Sequence, residues 1–251
     1  MTIKWKHCVP LATALALSFA AAAATSDGVH WEYDGEHGPD HWADLKPDYA
    51  ACAGKEQSPI DLNGQALSAN VHAPAVYWQS SKVSSVVNNG HTFQVNLEDA
   101  GKIVIDGTPY KFLQFHFHSG SEHALHGRRY PLEVHLVHQA EDGRLAVVGI
   151  MFAEGERNPQ LDQLINVLPG KVGEAQPYMS FNLNDFLPGS WESYRYEGSL
   201  TTPPCSEVVS WTVFEAPLTA SREQFAVFDM FFPHSYRPLQ PQNRRFVLKT
   251  N

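Results

Sequence analysis

Short runs of alternating apolar and polar residues recur along the chain. They are rich in Val, Ile, Phe and Tyr, and Gly- or Pro-containing turns separate some of them, which is typical of β-strands. Two segments, 159–168 and 221–228, predict helices instead; in the first, Leu and Ile recur every three or four positions. The stretch 30–49, rich in Trp, Tyr, His and Pro, predicts an irregular arm over the core. The pattern therefore predicts one mostly β domain with minor helices. The predicted strands are 83–87, 92–97, 102–105, 110–118, 132–138, 145–152 and 208–214.

The N-terminus has the three parts of a secretory signal peptide. A basic start precedes an apolar run over 9–20 and four alanines at 21–24. A membrane anchor is the alternative, but the run is shorter than the roughly 20 residues that cross a bilayer. Cys8 precedes the run, so a lipoprotein anchor is not expected. We predict removal of 1–24 and a secreted domain at 25–251, in the periplasm if the cell has two membranes.

Charge and cysteine content indicate which partners and which cellular compartment to expect. The net charge is −9 and basic residues do not cluster, which argues against a nucleic-acid partner. Nothing after the signal is long and apolar enough to span a membrane. Two cysteines remain, Cys52 and Cys205, and an oxidising compartment favours their pairing as a disulfide. Two buried free thiols are the alternative.

Histidines recur on one face of two predicted strands. Strand side chains alternate between faces, so Gln114, His116 and His118 share a face, as do Glu133 and His135. Two histidines at i and i+2 stand about 7 Å apart, close enough for both rings to reach one metal ion. Three imidazoles with an open fourth position are typical of a catalytic zinc site. The polar residue two positions before each of His116 and His135 could hold the other ring nitrogen.

Simpler interpretations of these residues stay open at this point. The chain has 13 histidines, so one His-x-His pair could arise by chance. Gln114 and Glu133 could be ordinary polar residues lining a cavity. His138 faces the opposite side of its strand and is expected to be a core or rim histidine.

Five motifs occur in an order and spacing that resemble one family. They lie at 57–61, 88–93, 114–123, 133–138 and 198–204. Together they resemble the alpha-class carbonic anhydrases, particularly the secreted bacterial members. The resemblance implies a single domain built on a large central, mainly antiparallel twisted β-sheet with a few short peripheral helices. It also implies the Cys52–Cys205 disulfide.

The resemblance also implies a role for each site residue. One zinc ion per chain would be bound by the three histidines named above. Thr201 would accept a hydrogen bond from zinc-bound hydroxide, Glu122 would orient Thr201, and His91 would shuttle protons. An apolar pocket would receive carbon dioxide, a polar wall would hold a water chain, and Thr202 would border both. The pocket residues are Val137, Val147, Leu200, Val209 and Trp211, and the wall residues are Tyr33, Asn88 and Gln94.

The implied function is reversible hydration of carbon dioxide to bicarbonate and a proton. Sulfonamides and anions are expected to inhibit at the zinc, and a homodimer is the default expectation from bacterial members. One departure is Ser119, where vertebrate members carry Trp and bacterial relatives a small residue.

Two rival functions use the same residues. A cupin metal site would also employ His116, His118 and Glu122, but the Gly-rich spacing before its first histidine is missing. A carbonic-anhydrase-like binding module would have lost zinc ligands, whereas all three histidines are retained here.

Overall fold

A computed structural model describes residues 29–63, 67–68 and 71–250. The predicted signal peptide at 1–24 lies outside the described residues. Within the described part, no helix has both the length and the apolar character that crossing a bilayer requires.

Strands dominate the described chain, with short helical segments between and around them. The strands are β1 (Asp61–Leu62), β2 (Leu67–Ser68), β3 (Ala75–Trp78), β4 (Ser80–Asn88), β5 (Phe93–Leu97), β6 (Gly101–Ile105), β7 (Thr108–Ser119), β8 (Ala124–Leu125), β9 (Leu132–Gln139), β10 (Leu145–Glu154), β11 (Gly173–Ala175), β12 (Ser180–Asn182), β13 (Ser193–Gly198), β14 (Val209–Phe214), β15 (Leu218–Ala220) and β16 (Leu248–Lys249). The α-helices are α1 (Trp42–Leu45), α2 (Pro159–Ile165) and α3 (Arg222–Phe231), and 3-10 turns cover Gly35–His37, Pro47–Ala53 and Leu183–Phe186.

One large sheet organises the molecule. Its order is β11-β4-β5-β7-β9-β10-β14-β13-β16-β2, with β3, β6, β12 and β15 attached at its sides. Most neighbours are antiparallel, while β10 pairs in parallel with β14 and β15, and β16 with β2. The sheet is therefore mixed, and the prediction of a mostly β domain built on a large, mainly antiparallel sheet is confirmed.

The two faces of this sheet pack against different groups of residues. On β7, Phe115 and Phe117 point into the main apolar core, which α2 and α3 help to cover. On β9, Val134 and Leu136 join the same core, while Val137 belongs to a second apolar cluster on the other face. The alternation read from the sequence thus separates a packed face from the face that carries the site.

Both predicted helices form, with shifted ends. Asn158 caps α2 by accepting from the next two free N–H groups, and the helix ends at Ile165 rather than 168. Ser221 is the N-cap of α3 and forms a capping box with Gln224. The helix continues to Phe231, beyond the predicted end at 228.

The N-terminal arm is anchored by its aromatic residues. Trp42 is fully buried and packs with Tyr49, Cys52 and Cys205, while Trp31 lies against this group. The arm therefore covers one side of the site instead of trailing from the domain.

Candidate metal centre and its surroundings

Pairing between β7 and β9 brings the three predicted ligands together. His116 lies opposite His135, and His118 lies opposite Glu133. One nitrogen from each of the three rings lies within 4.8 Å of the others. The sheet register, rather than a loop, therefore sets the spacing of the cluster.

In each of the two β7 histidines, the Nδ1 atom faces a hydrogen-bond acceptor. Nδ1 of His116 lies 2.9 Å from Gln114 Oε1, and Nδ1 of His118 lies 2.7 Å from the carbonyl of Ser235. Both partners can only accept, so each Nδ1 carries the proton and each Nε2 is left with a free lone pair. Nε2 of His118 is buried with no hydrogen-bond partner within the described residues.

Glu133 orients the third histidine through its other ring nitrogen. Its Oε1 lies 2.8 Å from His135 Nε2 and 2.7 Å from His123 Nδ1. Its Oε2 accepts from the backbone N–H of His123 at 2.9 Å. Burial raises the pKa of Glu133, yet His123 and His135 together bring it well below its usual range. The carboxylate is thus held ionised, and His135 presents Nδ1 toward the cluster.

A glycine makes room for this carboxylate. Gly149 on β10 lies opposite His135, and a Cβ at that position would stand 2.9 Å from Glu133 Oε1. Any larger residue would push Glu133 away from the histidines it holds.

The donor set fits zinc. Burial is the main cause that lowers the pKa of His116 well below its usual range, and neighbouring His118 and His135 add to it. Burial likewise lowers the pKa of His118. The two β7 histidines are therefore neutral and offer Nε2, while His135 offers Nδ1, and three such imidazole nitrogens are the donor type of a three-histidine catalytic zinc site.

Glu122 is buried beside the cluster, and one of its two carboxylate oxygens accepts a hydrogen bond. Its Oε1 accepts from the backbone N–H of Arg237 at 2.9 Å. Its Oε2 has no hydrogen-bond partner within the described residues and lies 3.5 Å from His118 Nε2 and 3.8 Å from His135 Nδ1. A fully buried carboxylate oxygen without a partner indicates that a donor from another group belongs there.

Thr201 is buried in the loop that follows β13. Two backbone hydrogen bonds close this loop, from Leu200 N to the Ser206 carbonyl and from Cys205 N to the Thr202 carbonyl. A disulfide joins Cys205 to Cys52 of the arm. The loop is therefore closed on itself and tied to the arm, and its Thr202 lines the same pocket as His116 and His118.

A small polar pocket of about 130 Å³ opens above the cluster. His116 and His118 line it, together with the predicted wall residues Tyr33 and Gln94 and with residues that were not predicted from the sequence. Asn88 is absent from this lining; its side chain accepts from Gly90 N and donates to the Pro169 carbonyl. The lining residues are Trp31, Tyr33, Asn89, His91, Thr92, Gln94, Gln114, His116, His118 and Thr202.

His91 lies at the border between this pocket and the outside. Its ring stacks on Trp31 with a centroid distance of 3.8 Å and 10° between the planes. It also lines an outer cavity of about 560 Å³ together with His30 and Glu32. Burial lowers the pKa of His91 to about 4, and nearby His30 adds to this shift while Glu32 opposes it.

The five predicted pocket residues lie together on the same side of the sheet. Val137, Val147, Val209 and Trp211 are buried in one cluster, and Leu200 packs against it. The ring of Trp211 lies 4.8 Å from that of His135. An apolar surface thus borders the metal cluster directly.

Three contributors to the site were missed by the sequence analysis: His123, Ser235 and Arg237. His123 links Glu133 to Tyr196, whose hydroxyl lies 2.7 Å from His123 Nε2. Its place directly after Glu122 in the 114–123 motif was a signal that could have identified it. Ser235 and Arg237 act through backbone atoms, so residue type alone could not identify them.

Comparisons with known proteins agree with this geometry. Residues 37–251 match the family described as eukaryotic-type carbonic anhydrase. A carbonic anhydrase of Pectobacterium carotovorum is 42% identical over 241 residues, covering 95% of this chain and 98% of that protein. The alpha-carbonic anhydrase of Thermovibrio ammonificans, solved with the inhibitor sulfanilamide, superposes with a TM-score of 0.85 at 43% identity, covering 88% of this chain and 99% of that one. The alpha-carbonic anhydrase of Photobacterium profundum gives a TM-score of 0.82 at 42% identity, covering 87% and 100%.

Proposed function

The chain belongs to the alpha, or eukaryotic-type, carbonic anhydrase family, and we propose that it performs the family reaction at one zinc ion held by His116, His118 and His135. The reaction is the reversible hydration of carbon dioxide to bicarbonate and a proton. The observation that carries the proposal is the cluster of three ring nitrogens within 4.8 Å. The opposite nitrogen of each ring is already engaged by Gln114, Ser235 or Glu133.

A bound zinc ion would lower the pKa of a coordinated water to about 7, so that hydroxide is available at neutral pH. The protein's part is to aim the imidazoles through the buried acceptors behind them, while burial keeps His116 and His118 neutral. Glu133 adds negative charge behind His135 and makes that ligand more basic.

Thr201 and Glu122 orient the nucleophile. A hydroxyl has one proton to donate, and the buried Oε2 of Glu122, which has no hydrogen-bond partner among the described residues, is the acceptor that we propose for it. A Thr201 hydroxyl that donates to Glu122 can only accept from the nucleophile, and this directs the lone pair of the nucleophile at carbon.

Carbon dioxide is apolar and offers no strong hydrogen-bonding group, so it requires an apolar receptacle. The cluster of Val137, Val147, Val209 and Trp211, with Leu200 against it, supplies one beside His135. Weak binding suffices there, because substrate need only rest beside the nucleophile.

His91 exports the proton. It lines both the inner pocket and the outer cavity, so it can exchange protons with either side. In the position stacked on Trp31 burial lowers its pKa to about 4, so there the ring releases a proton readily but accepts one poorly at neutral pH. We propose that His91 accepts the proton when its ring lies away from Trp31, where its pKa is closer to the ordinary value of about 6.5. Tyr33, Gln94 and Thr202 provide polar contacts for water between His91 and the metal centre.

The test is stopped-flow carbon dioxide hydration, combined with metal analysis of the purified protein. We expect one zinc per chain, loss of activity on chelation and recovery on zinc addition. His135→Ala should lose both zinc and activity, while a matched variant at the exposed His72, His72→Ala, should keep both. A zinc-loaded protein with no rate above buffer would refute the proposed function.

Export, inhibition and assembly complete the proposal. A signal peptide at 1–24 and a secreted or periplasmic location agree with the Cys52–Cys205 disulfide, since such bonds persist in oxidising compartments. Sulfonamide inhibition is proposed because a relative was solved with sulfanilamide. N-terminal sequencing of the secreted protein and sedimentation analysis test the cleavage and the expected homodimer.

A further inference from the structure

Arg129 connects two backbone segments that meet behind Glu122. It lies in the loop between β8 and β9, and its Nη1 donates to the carbonyls of Ser121 and Glu122, the latter at 2.8 Å. Its Nη2 donates to the carbonyl of Arg237 at 3.2 Å. One guanidinium therefore ties the segment that carries Glu122 to the segment that carries Arg237.

The distance between these two segments decides where the carboxylate of Glu122 lies. The backbone N–H of Arg237 is the hydrogen-bond donor that Oε1 of Glu122 has among the described residues. Oε2 is left free for the donor that completes the site. If the two segments separate, Glu122 loses its one fixed contact and can rotate in its buried position.

The guanidinium itself is held in one place. It lies over the ring of Tyr236, 4.3 Å from the centroid. Gly120 has φ +80°, and a Cβ there would overlap the Tyr236 ring, so the ring packs directly on this backbone. Arg129 is thus clamped between the loop before Glu122 and the residue before Arg237.

We propose that Arg129 is a positioning residue for catalysis: by bridging the carbonyls of Glu122 and Arg237 it holds the Glu122 carboxylate where Thr201 must donate to it. The inference rests on the proposed function, in which Thr201 donates to Glu122 and accepts from the nucleophile. A merely structural role would lower stability without changing which ligands the site prefers.

The ligands that the site prefers distinguish a positioning role of Arg129 from a merely structural one. A Thr201 hydroxyl committed to Glu122 can only accept, so it favours ligands that bring an N–H or O–H and disfavours anions without a proton. If Glu122 is displaced, the hydroxyl becomes free to donate. Sulfonamide binding should then weaken while binding of an aprotic anion such as thiocyanate strengthens.

The experiment compares Arg129→Ala and Arg129→Lys with the wild type and with Arg222→Gln. Arg222 lines the same surface cavity of about 410 Å³ as Arg129, but its ion pair is with the exposed Glu154. Zinc content is measured first, and then the dissociation constants of dansylamide and thiocyanate at equilibrium. Hydrogen exchange of the Arg237 amide in metal-free protein gives a readout that does not depend on activity.

We expect Arg129→Ala to lower kcat/KM by about 10-fold or more, the scale seen when an outer partner of a metal site is lost. Dansylamide should bind more weakly, thiocyanate more tightly, and the Arg237 amide should exchange faster. Methylguanidinium, which can enter the vacated space from the cavity, should partly restore the preference, and Arg129→Lys should lie between Arg129→Ala and wild type. Arg222→Gln should match wild type.

Unchanged preference, or both ligands shifting in the same direction, would overturn the inference. If Arg129→Ala does not fold, a wild-type preference in Arg129→Lys counts equally against it. An inactive, zinc-free wild type would instead refute the proposed function, and amide exchange at Arg237 would still test the bridging by Arg129.

Discussion

The buried His138 makes stability depend on pH in a way that can be calculated. It lies on the core side of β9, fully buried, and its Nε2 accepts from Trp78 Nε1 at 3.0 Å. Burial lowers its pKa from 6.5 to about 3. Between pH 6.5 and pH 3 the ring therefore binds a proton in the unfolded chain but not in the folded chain. The free energy of unfolding is at its full value above pH 6.5 and decreases as pH falls from 6.5 toward 3.

The size of the effect follows from those two pKa values. Keeping the ring neutral lowers the free energy of unfolding by about 0.2 kcal/mol at pH 7 and by about 3.3 kcal/mol at pH 4. The predicted loss from His138 alone is therefore about 3 kcal/mol between pH 7 and pH 4. That is a large share of the 5–15 kcal/mol that typically stabilises a domain.

The assay is urea unfolding at pH 7 and pH 4 of the wild type and His138→Gln, whose amide oxygen can still accept from Trp78. His138→Gln should lose about 3 kcal/mol less than the wild type on acidification. His72→Gln, which replaces an exposed histidine, should lose as much as the wild type. Equal losses in the wild type and His138→Gln would refute the reasoning, since acid release at the metal centre on the opposite face is common to both.

Three further predictions concern the proton shuttle, the zinc affinity and the disulfide. His91→Ala should lower turnover in weak buffer and be partly rescued by imidazole, and an unchanged rate would remove the proposed shuttle. Glu133→Gln should weaken zinc affinity by about 10- to 100-fold, because His135 loses its charged partner; a metal-competition titration measures this, and wild-type affinity would contradict it. Reducing the Cys52–Cys205 bond should lower the free energy of unfolding by about 4–5 kcal/mol, as expected for a loop of this length. Urea curves with and without reductant check the value, and coincident curves would exclude a stabilising bridge.

Local chemistry in the sequence was enough for much of this protein. Period-two alternation predicted β7 and β9, and put His116 with His118 on one face of β7 and His135 with Glu133 on one face of β9, because side-chain direction in a strand is a local property. The helix predicted to begin at 221 begins at Arg222, and its start is also local, since Ser221 and Gln224 form a capping box within one helical turn. The two remaining cysteines allowed one pairing, which the structure contains.

Tertiary structure decided what depends on residues far apart in the chain. The register of β7 on β9, the room that Gly149 leaves for Glu133, and the backbone contacts of Ser235 and Arg237 have no counterpart in local sequence. A carbonyl or an N–H is present at nearly every residue, so nothing in residue type shows which one will face a histidine or a carboxylate. The sequence alone therefore identified the three-histidine cluster, and only the fold determined how each ring is aimed and how Glu122 is held.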